Sequence, residues 1–355
     1  MYKGLKIAAL LAAGTLALAA CGSSSGGGTT TSAAPAESSS SAAPTSDVKV
    51  GLAYDIGGRG DQSFNDSAAA GLDKAKTEFG IETKELEATA GETDAQKEER
   101  LTTLAEAGYN PIIAVGFAYA VALGKVAPQF PDTTFGIVDD SSLSEANPNV
   151  TSLVFAENEG SFLVGAIAAQ ASKSGNIGFV GGVNVPLIVK FQAGYEAGAK
   201  AVNPNIKVQV KYLTEPPDFS GFGDPAKGKV AAEGMFQAGA DVVYHAAGGS
   251  GGGVFEAAKA AKGWAIGVDS DQYLTADASV KDVILTSMLK RVDVAVYSFI
   301  KSAVDGSVLT GVQTFDLKVD GVGYSDSNSA VSDYTAKAEE LKAQIISGAI
   351  TVPTS

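Results

Sequence analysis

Apolar residues along most of this chain occur in two alternating arrangements. Some form short continuous runs, as from residue 48 to 54, which is typical of a buried strand. Others recur every three to four residues, as at Ala68, Leu72, Ala75 and Phe79, which is typical of one face of a helix, and Gly80 would end that helix. The pattern therefore predicts a first strand at residues 48–54 and a first helix at 67–79.

The same alternation continues to residue 268. Strands alternating with helices of this length indicate an α/β fold with mainly parallel sheets flanked by helices. The predicted strands are 48–54, 111–116, 134–138, 150–155, 177–181, 208–213, 242–246 and 265–268, and the predicted helices are 67–79, 94–107, 118–130, 160–171, 186–202, 225–238 and 252–261.

Further elements follow this alternating part of the chain. A strand is predicted at 283–286, a helix at 292–303, and the segment 311–319 is rich in β-branched residues. A domain of this size favours two lobes, and the extra elements indicate that the chain crosses between them more than once. We expect one domain with a ligand cleft and a multi-strand hinge. Its parts are an N-lobe of 47–155 plus 272–306, a C-lobe of 156–271 plus 307–330, and a C-terminal helix at 332–348, within a domain spanning 47–355.

Polar residues follow several of the predicted strands. Asp55, Asp139 and Asp269 each come directly after a strand, and Gly249 follows the strand that contains His245. Ligands of open parallel sheets bind beyond the carboxyl ends of the strands, so these residues predict one shared cleft. Asp also caps helices after strands, and for each single residue that alternative stays open.

The beginning of the chain has a different pattern. Lys3 and Lys6 precede an apolar stretch at 7–20, which is typical of a secretory signal peptide over residues 1–20 and is shorter than the ~20 residues of a spanning helix. The run Leu18-Ala19-Ala20-Cys21 resembles the lipobox of bacterial lipoproteins, which implies a lipidated Cys21. Residues 22–46 consist almost entirely of Gly, Ser, Thr, Ala and Pro. We therefore expect segment 21–46 to be a lipidated cysteine with a flexible linker, which would hold the domain at the extracytoplasmic face of the cell membrane.

Charge and composition exclude several classes of function. The formal net charge of −14 argues against nucleic acid as a partner. Cys21 is the only cysteine and His245 the only histidine, and no residues have the spacing of metal ligands. We expect no disulfide in the domain, no cofactor and no metal.

Several motifs in order along the chain resemble the basic membrane protein family. These proteins are substrate-binding lipoproteins of ABC importers, best known for binding purine nucleosides. The resemblance covers essentially the whole domain and implies a type I periplasmic-binding-protein fold that closes on its ligand. The matching motifs are Asp61-Gln62-Ser63-Phe64-Asn65, Asn149-Val150 followed by Glu159-Gly160-Ser161-Phe162-Leu163, Phe191-Gln192-Ala193-Gly194-Tyr195, Ala246-Ala247-Gly248-Gly249, Ile266-Gly267-Val268-Asp269, Lys290 and Ile345-Ile346-Ser347-Gly348.

The resemblance also implies roles for individual residues. Phe64 matches the aromatic that stacks on a purine, Asn65 the amide that bonds the base edge, and Asp269 with Lys290 the pair that holds the ribose hydroxyls. The carboxylate of Asp139 is expected to bond to the base. Asp55, Phe191 and Gly249 are expected to line the cleft. The loop 249–253 has more glycines than relatives often show, and Arg59 adds a cation near the signature that could alter the choice of ligand.

The chemistry of a nucleoside fits these residue types. Its apolar faces suit aromatic rings, and its polar edges and vicinal hydroxyls suit amides and carboxylates. Phe64 and Phe191 have a competing role as core aromatics, since Ile188, Phe191 and Tyr195 are spaced like one face of a helix. A sugar or another heterocycle on the same fold is the alternative ligand.

An enzyme is the main alternative from another class. The loop 248–253 resembles a dinucleotide-binding loop, but Val254 stands where the last glycine of the fingerprint belongs. His245 lies within an apolar strand, which favours a structural role over that of a general base. We therefore expect a binding protein, monomeric, that delivers its ligand to an ABC permease with its ATPase.

Overall fold

The computed structural model describes residues 46–89 and 91–355. The predicted signal peptide at 1–20, the lipidated Cys21 and all of the predicted linker except residue 46 lie outside the described residues. Within the described residues, no helix has both the length and the apolar character that crossing a membrane requires.

The domain contains two six-stranded sheets with helices packed on them. The strands are β1 Lys49–Ala53, β2 Glu82–Leu86, β3 Ile112–Ala114, β4 Phe135–Val138, β5 Val150–Phe155, β6 Asn176–Val183, β7 Lys207–Thr214, β8 Val242–Ala246, β9 Trp264–Asp269, β10 Ile284–Lys290, β11 Gly311–Phe315 and β12 Val322–Tyr324. The helices are α1 Phe64–Phe79, α2 Asp94–Glu106, α3 Ala120–Val126, α4 Glu157–Ala171, α5 Pro186–Val202, α6 Pro225–Gln237, α7 Gly251–Ala261, α8 Gln272–Thr275, α9 Val292–Val304 and α10 Ser332–Ile346.

The order of strands defines the two lobes. The first lobe is built on the sheet β11-β5-β4-β3-β1-β2, in which every pairing is parallel. The second lobe is built on the sheet β12-β10-β9-β8-β6-β7, in which only β12 runs antiparallel. This arrangement confirms the α/β prediction of two mainly parallel sheets.

The chain passes between the lobes three times. It leaves the first sheet after β5, returns to it between β10 and β11, and crosses again between β11 and β12. The passages lie close to one another, because Ala156 N donates to Phe315 O at 3.0 Å and Arg291 N donates to Gly321 O at 2.9 Å. A multi-strand hinge therefore connects the lobes.

Two segments lie in the opposite lobe from the one that the sequence predicts. Strand β10 was expected in the N-lobe part 272–306 but pairs with β9 of the second sheet, and β11 was expected in the C-lobe part 307–330 but pairs with β5 of the first sheet. Both strands lie next to hinge passages. A local sequence pattern there indicates a strand but does not indicate which sheet the strand joins. Helix α9 does lie in the first lobe, where Phe299 packs on Gly136 of β4.

Three elements were not predicted from the sequence. Strand β2 is a half-exposed edge strand whose first four residues are all polar, and β12 and α8 contain three and four residues. None of them has the apolar run or the helical spacing on which the predictions were based. The predicted helix 118–130 is helical over almost all of its length, as α3 with a 3₁₀ turn before it at Phe117–Tyr119 and another after it at Ala127–Gln129. The predicted segment 311–319 is shorter in the structure, since it contains the five-residue β11.

Glycines allow helices α4 and α5 of the second lobe to approach closely. A Cβ atom on Gly198 would lie 1.9 Å from the backbone oxygen of Phe162, and one on Gly194 would lie 2.1 Å from that of Asn158. Close packing of two helices at this distance has no space for a methyl group at either position. The contact places the start of α4, which follows directly from the hinge, against the helix that carries Phe191.

Candidate functional site

A cavity lies between the two lobes at the carboxyl ends of their strands. The space between the lining residues, its open mouth included, is about 550 Å³. The first lobe contributes residues that follow β1, β3 and β4, and the second lobe contributes residues from β8, β9, β10 and α5. The residues that line it are Asp55, Ile56, Asp61, Phe64, Asn65, Gly116, Phe117, Asp139, Leu187, Ile188, Phe191, Phe222, Ala246, Gly248, Val268, Asp269 and Lys290.

The segment 61–65 enters the cavity because Asp61 organises the start of α1. Its carboxylate accepts hydrogen bonds from the backbone N–H groups of Ser63, Asn65 and Asp66 at 2.8–3.1 Å. These N–H groups are at the first turn of the helix, where they have no partner within the helix. Helix α1 consequently begins at Phe64, three residues before the predicted start, and the Phe64 side chain lines the cavity.

The side chain of Asn65 bonds to the protein through both ends of its amide. Nδ2 donates to Asp61 Oδ2 at 3.0 Å and to Ile56 O at 3.3 Å, and Oδ1 accepts from Asp55 N at 3.0 Å. An Asn amide has two hydrogens, so both are used in these contacts. In this conformation only the second lone pair of Oδ1 is available for the predicted bond to a base edge. Asn65 instead joins the end of β1 to the start of α1.

Asp55 is held beside a glycine of the first lobe. Its Oδ1 accepts from Ile56 N at 2.8 Å, and a Cβ on Gly116 would lie 2.3 Å from its Oδ2. Gly116 has a φ of 105°, so that both the conformation and the space at this position favour glycine. Burial raises the pKa of Asp55 to about 7, against the opposing attraction of Lys97.

Lys290 extends from the end of β10 into a buried polar group. Its Nζ lies 2.5 Å from Asp139 Oδ2 and 3.8 Å from Glu157 Oε1, and its side chain is 2 % exposed. The ammonium also lies over three aromatic rings, 4.9 Å from the centroid of Phe64, 5.1 Å from that of Phe155 and 5.6 Å from that of Phe191. The pair of Lys290 with Asp139 joins the two lobes, because Asp139 follows β4 of the first sheet.

Asp269 bonds to a serine of the first lobe and not directly to Lys290. Its Oδ2 accepts from Ser63 Oγ at 2.8 Å, and the closest carboxylate to Lys290 is that of Asp139. Burial raises the pKa of Asp269 to about 6, while the positive charge of Lys290 acts to lower it. Asp139 and Asp269 both have positive φ, 69° and 64°, which turns each strand end toward the cavity.

Glu157 belongs to this group although the sequence did not identify it. It is the first residue of α4, its side chain is 1 % exposed, and it lies between Lys290 and Lys190, whose Nζ is 3.5 Å from Oε2. Burial raises the pKa of Glu157 to about 7, and Lys290 opposes that rise. The predicted helix began at residue 160, so that Glu157 seemed to lie in a loop. A carboxylate at the first position of a helix is the signal that would have found it.

The cavity brings together seven of the eight predicted residues. The seven that line it are Asp55, Phe64, Asn65, Asp139, Phe191, Asp269 and Lys290. The eighth predicted residue, Gly249, does not line the cavity, although its neighbour Gly248 does. Phe117 and Phe222 line it as well and were not predicted. Both lie in short 3₁₀ turns after strands, where the sequence shows no helical spacing.

Arg59 and His245 lie away from the cavity. The guanidinium of Arg59 bonds to Asp73 and Glu85 on the outer surface of the first lobe, which directs its charge away from a ligand. His245 is fully buried in β8, and its Nε2 lies 3.0 Å from Gln272 Oε1. Burial lowers its pKa to about 4, as expected for a structural histidine. Among the described residues, no group of three or more His, Cys, Asp or Glu could hold a metal ion.

Comparison with known proteins identifies relatives over nearly the whole domain. The family model described as ABC transporter substrate-binding protein PnrA-like matches residues 48–355. The "CD4+ T-cell-stimulating antigen" of Listeria monocytogenes is 37% identical over 329 residues, which cover 87% of this chain and 89% of that protein. The "ABC transporter nucleoside-binding protein BmpA" of Lactococcus lactis is 37% identical over 331 residues, which cover 87% of this chain and 90% of that protein.

A solved structure has the same two-lobed fold. It is an ABC transporter solute-binding protein from Aeropyrum pernix, with a TM-score of 0.76 and 32% identity over 87% of this chain and 94% of that one. The fold, the motifs and the extent of the sequence match agree. The chain therefore belongs to the Bmp family of PnrA-like ABC transporter substrate-binding proteins.

Proposed function

We propose that this protein captures a purine nucleoside between its lobes and delivers it to an ABC permease. The observation that supports this most is the combination of aromatic rings and free carboxylate oxygens in one cavity. Phe64 and Phe191 provide faces for a flat heterocycle, and Asp55, Asp139 and Asp269 provide acceptors for its edges and hydroxyls. The name of the Lactococcus lactis relative, which describes nucleoside binding, supports the same ligand.

The acceptors in the cavity require a ligand with hydrogen-bond donors. Asp139 Oδ1 is buried and accepts no hydrogen bond from the described residues. Oδ2 of Asp55 and Oδ1 of Asp269 likewise accept none from them. A nucleoside supplies donors from its vicinal ribose hydroxyls and from the N–H groups of its base. At the buried Asp139 Oδ1 such a bond would remove the cost of leaving a buried acceptor unpaired, about 1–3 kcal/mol.

The charge balance of the cavity disfavours phosphorylated ligands. Asp55, Asp61, Asp139 and Asp269 line it, and among the described residues Lys290 is the one cationic side chain that does. Lys290 is already paired with Asp139. A phosphate group would add negative charge next to unpaired carboxylates, so we expect nucleosides to bind and nucleotides to be rejected.

A calorimetric screen tests the proposed function. The full protein is titrated with guanosine, inosine, adenosine, the matching free bases and 5′-monophosphates, ribose and glucose. Purine nucleosides should bind with the lowest dissociation constants, and the monophosphates should bind at least tenfold more weakly. Tight binding of a sugar, with no binding of any nucleoside, would show that the ligand is a sugar and not a nucleoside. Release of free base during incubation would show that the protein is an enzyme.

The same proposal includes a lipid anchor at Cys21 and a monomeric binding protein at the extracytoplasmic face of the membrane. The apolar N-terminal segment, the small residues before Cys21 and the Gly- and Ser-rich segment after it support this. Metabolic labelling with palmitate should label the protein and not a Cys21→Ala variant. Equal labelling of both would contradict the assignment of Cys21.

A further inference from the structure

Residues Gln62 and Ser63 of the first lobe contact the second lobe directly. Ser63 Oγ lies 2.8 Å from Asp269 Oδ2 and 3.1 Å from Val268 O. Since a hydroxyl has one hydrogen, it donates to the nearer and charged acceptor, Asp269. Ser63 is fully buried, so water does not compete for this bond.

Two more hydrogen bonds run in the opposite direction, from the second lobe to the first. Ser270 Oγ donates to Ser63 O at 2.7 Å, and Gln272 Nε2 donates to Gln62 O at 3.0 Å. We call the contact of residues 62–63 with residues 268–272 the interlobe clasp. Its members come from segments more than 200 positions apart in the chain.

Buried groups of the second lobe hold the clasp residue Gln272 in place. Its Oε1 accepts from Val268 N at 2.8 Å and lies 3.0 Å from His245 Nε2. Its backbone N–H donates to Ser287 Oγ at 3.1 Å. With Oε1 fixed in this way, Nε2 is directed toward Gln62 O. This gives the only histidine of the chain a role in orienting the amide that reaches across the lobes.

The clasp lies directly beside the residues proposed to bind ligand. Ser63 precedes Phe64 in the chain, and its partner Asp269 lines the cavity. One oxygen of Asp269 bonds to Ser63, and the other accepts no hydrogen bond from the described residues. The same carboxylate is therefore positioned to bond with the opposite lobe and with a ligand hydroxyl at the same time.

We propose that Ser63 is a positioning residue that holds the closed lobes together over the ligand and orients Asp269 for it. The part of this statement that concerns the ligand rests on the proposed function. Closing the lobes forms the bond between Ser63 and Asp269, and opening them breaks it. The bond should therefore slow dissociation of the ligand and have little effect on the rate of association.

Ser67 provides a matched control. It is also a buried serine of α1, and its Oγ accepts a hydrogen bond from Asp293 N at 3.1 Å. Asp293 lies in α9, which packs on α1 within the first lobe, so this bond does not depend on closure. Ser63→Ala and Ser67→Ala each remove one buried hydroxyl, but only the first removes a bond between lobes. Ser270→Ala removes a second bond of the clasp.

The experiment has two measurements on the full protein and its three variants. Stopped-flow dissociation of guanosine should be roughly 10-fold or more faster for Ser63→Ala, as expected for a lost hydrogen bond to a charged group, and faster for Ser270→Ala. It should be unchanged within about twofold for Ser67→Ala. Small-angle X-ray scattering without ligand should give a larger radius of gyration for Ser63→Ala than for Ser67→Ala.

Several results would overturn this inference. One is equal dissociation rates for Ser63→Ala and Ser67→Ala, and another is a loss of affinity that lies entirely in the association rate. If the parent protein binds no nucleoside, the proposed function fails, but the scattering comparison still tests the clasp. An unchanged radius of gyration in Ser63→Ala would then show that the contact is permanent packing at the hinge.

Discussion

At the scale of single residues, the structure shows which groups the predicted site residues bond to, and the sequence did not indicate these partners. Seven of the residues that the motifs identify line the cavity, because a residue that follows a strand of a parallel sheet has few places to lie. The motifs could not show that Lys290 pairs with Asp139 and that Asp269 pairs with Ser63. These choices depend on distances between segments far apart in the chain, which a pattern of residues does not contain.

Replacing Phe64 tests the stacking role at this scale. Phe64→Ala should weaken binding of a purine nucleoside by roughly 5- to 150-fold, since stacking of a base on an aromatic ring contributes about 1–3 kcal/mol. Titration calorimetry measures the change. Phe79→Ala is the control, because Phe79 lies at the other end of α1, half-buried and stacked on Tyr297 at 5.8 Å. It should lower stability without changing affinity. Equal affinities of Phe64→Ala and the parent would contradict stacking.

At the scale of elements, local patterns predicted the strands and helices well and their lobes less well. Strands β5 and β8 and helix α5 have the predicted bounds, because each combines a clear apolar pattern with clear ends. The edge strands β2 and β12 were missed because an edge strand needs little apolar content. Strands β10 and β11 were assigned to the wrong lobes because each follows or precedes a hinge passage.

The contact between α4 and α5 gives a prediction about elements. Gly198→Ala should lower the free energy of unfolding by about 1–3 kcal/mol, because the added methyl group would force apart two closely packed helices. Urea unfolding followed by circular dichroism measures this. Gly234→Ala is the matched control, since Gly234 lies within α6 with no atom within 4 Å of an added Cβ. It should raise the free energy of unfolding by about 0.5–1 kcal/mol. A Gly198→Ala variant as stable as the parent would contradict close packing.

At the scale of the whole molecule, the cavity concentrates buried acids between the lobes. Burial raises the pKa of Asp55 to about 7, of Glu157 to about 7 and of Asp269 to about 6. In the unfolded chain these groups lose their protons near pH 4. These three groups therefore hold more protons in the folded protein than in the unfolded chain between about pH 4 and pH 7. Ionising these acids costs stability unless a ligand donates hydrogen bonds to them.

A variant of Asp55 tests this pH dependence. Because the folded pKa of Asp55 is raised, its contribution to the free energy of unfolding falls as the pH rises toward about 7. Asp55→Asn removes this titration and keeps the shape of the side chain. The stability of the variant relative to the parent should therefore increase between about pH 4 and pH 7 and stay constant above that range, as measured by urea unfolding at each pH without ligand. A difference in stability that is independent of pH would show that Asp55 titrates normally.

The three passages between lobes also affect how the chain folds as it is made. The first sheet needs β11, which ends at Phe315, and the second needs β12, which ends at Tyr324. During synthesis from the N-terminus, neither sheet can be completed until nearly the whole sequence is available. Early segments would keep an unpaired strand edge, at β5 in the first sheet and at β10 in the second. Since the protein is proposed to act at the extracytoplasmic face of the membrane, this delay would keep the emerging chain unfolded for export.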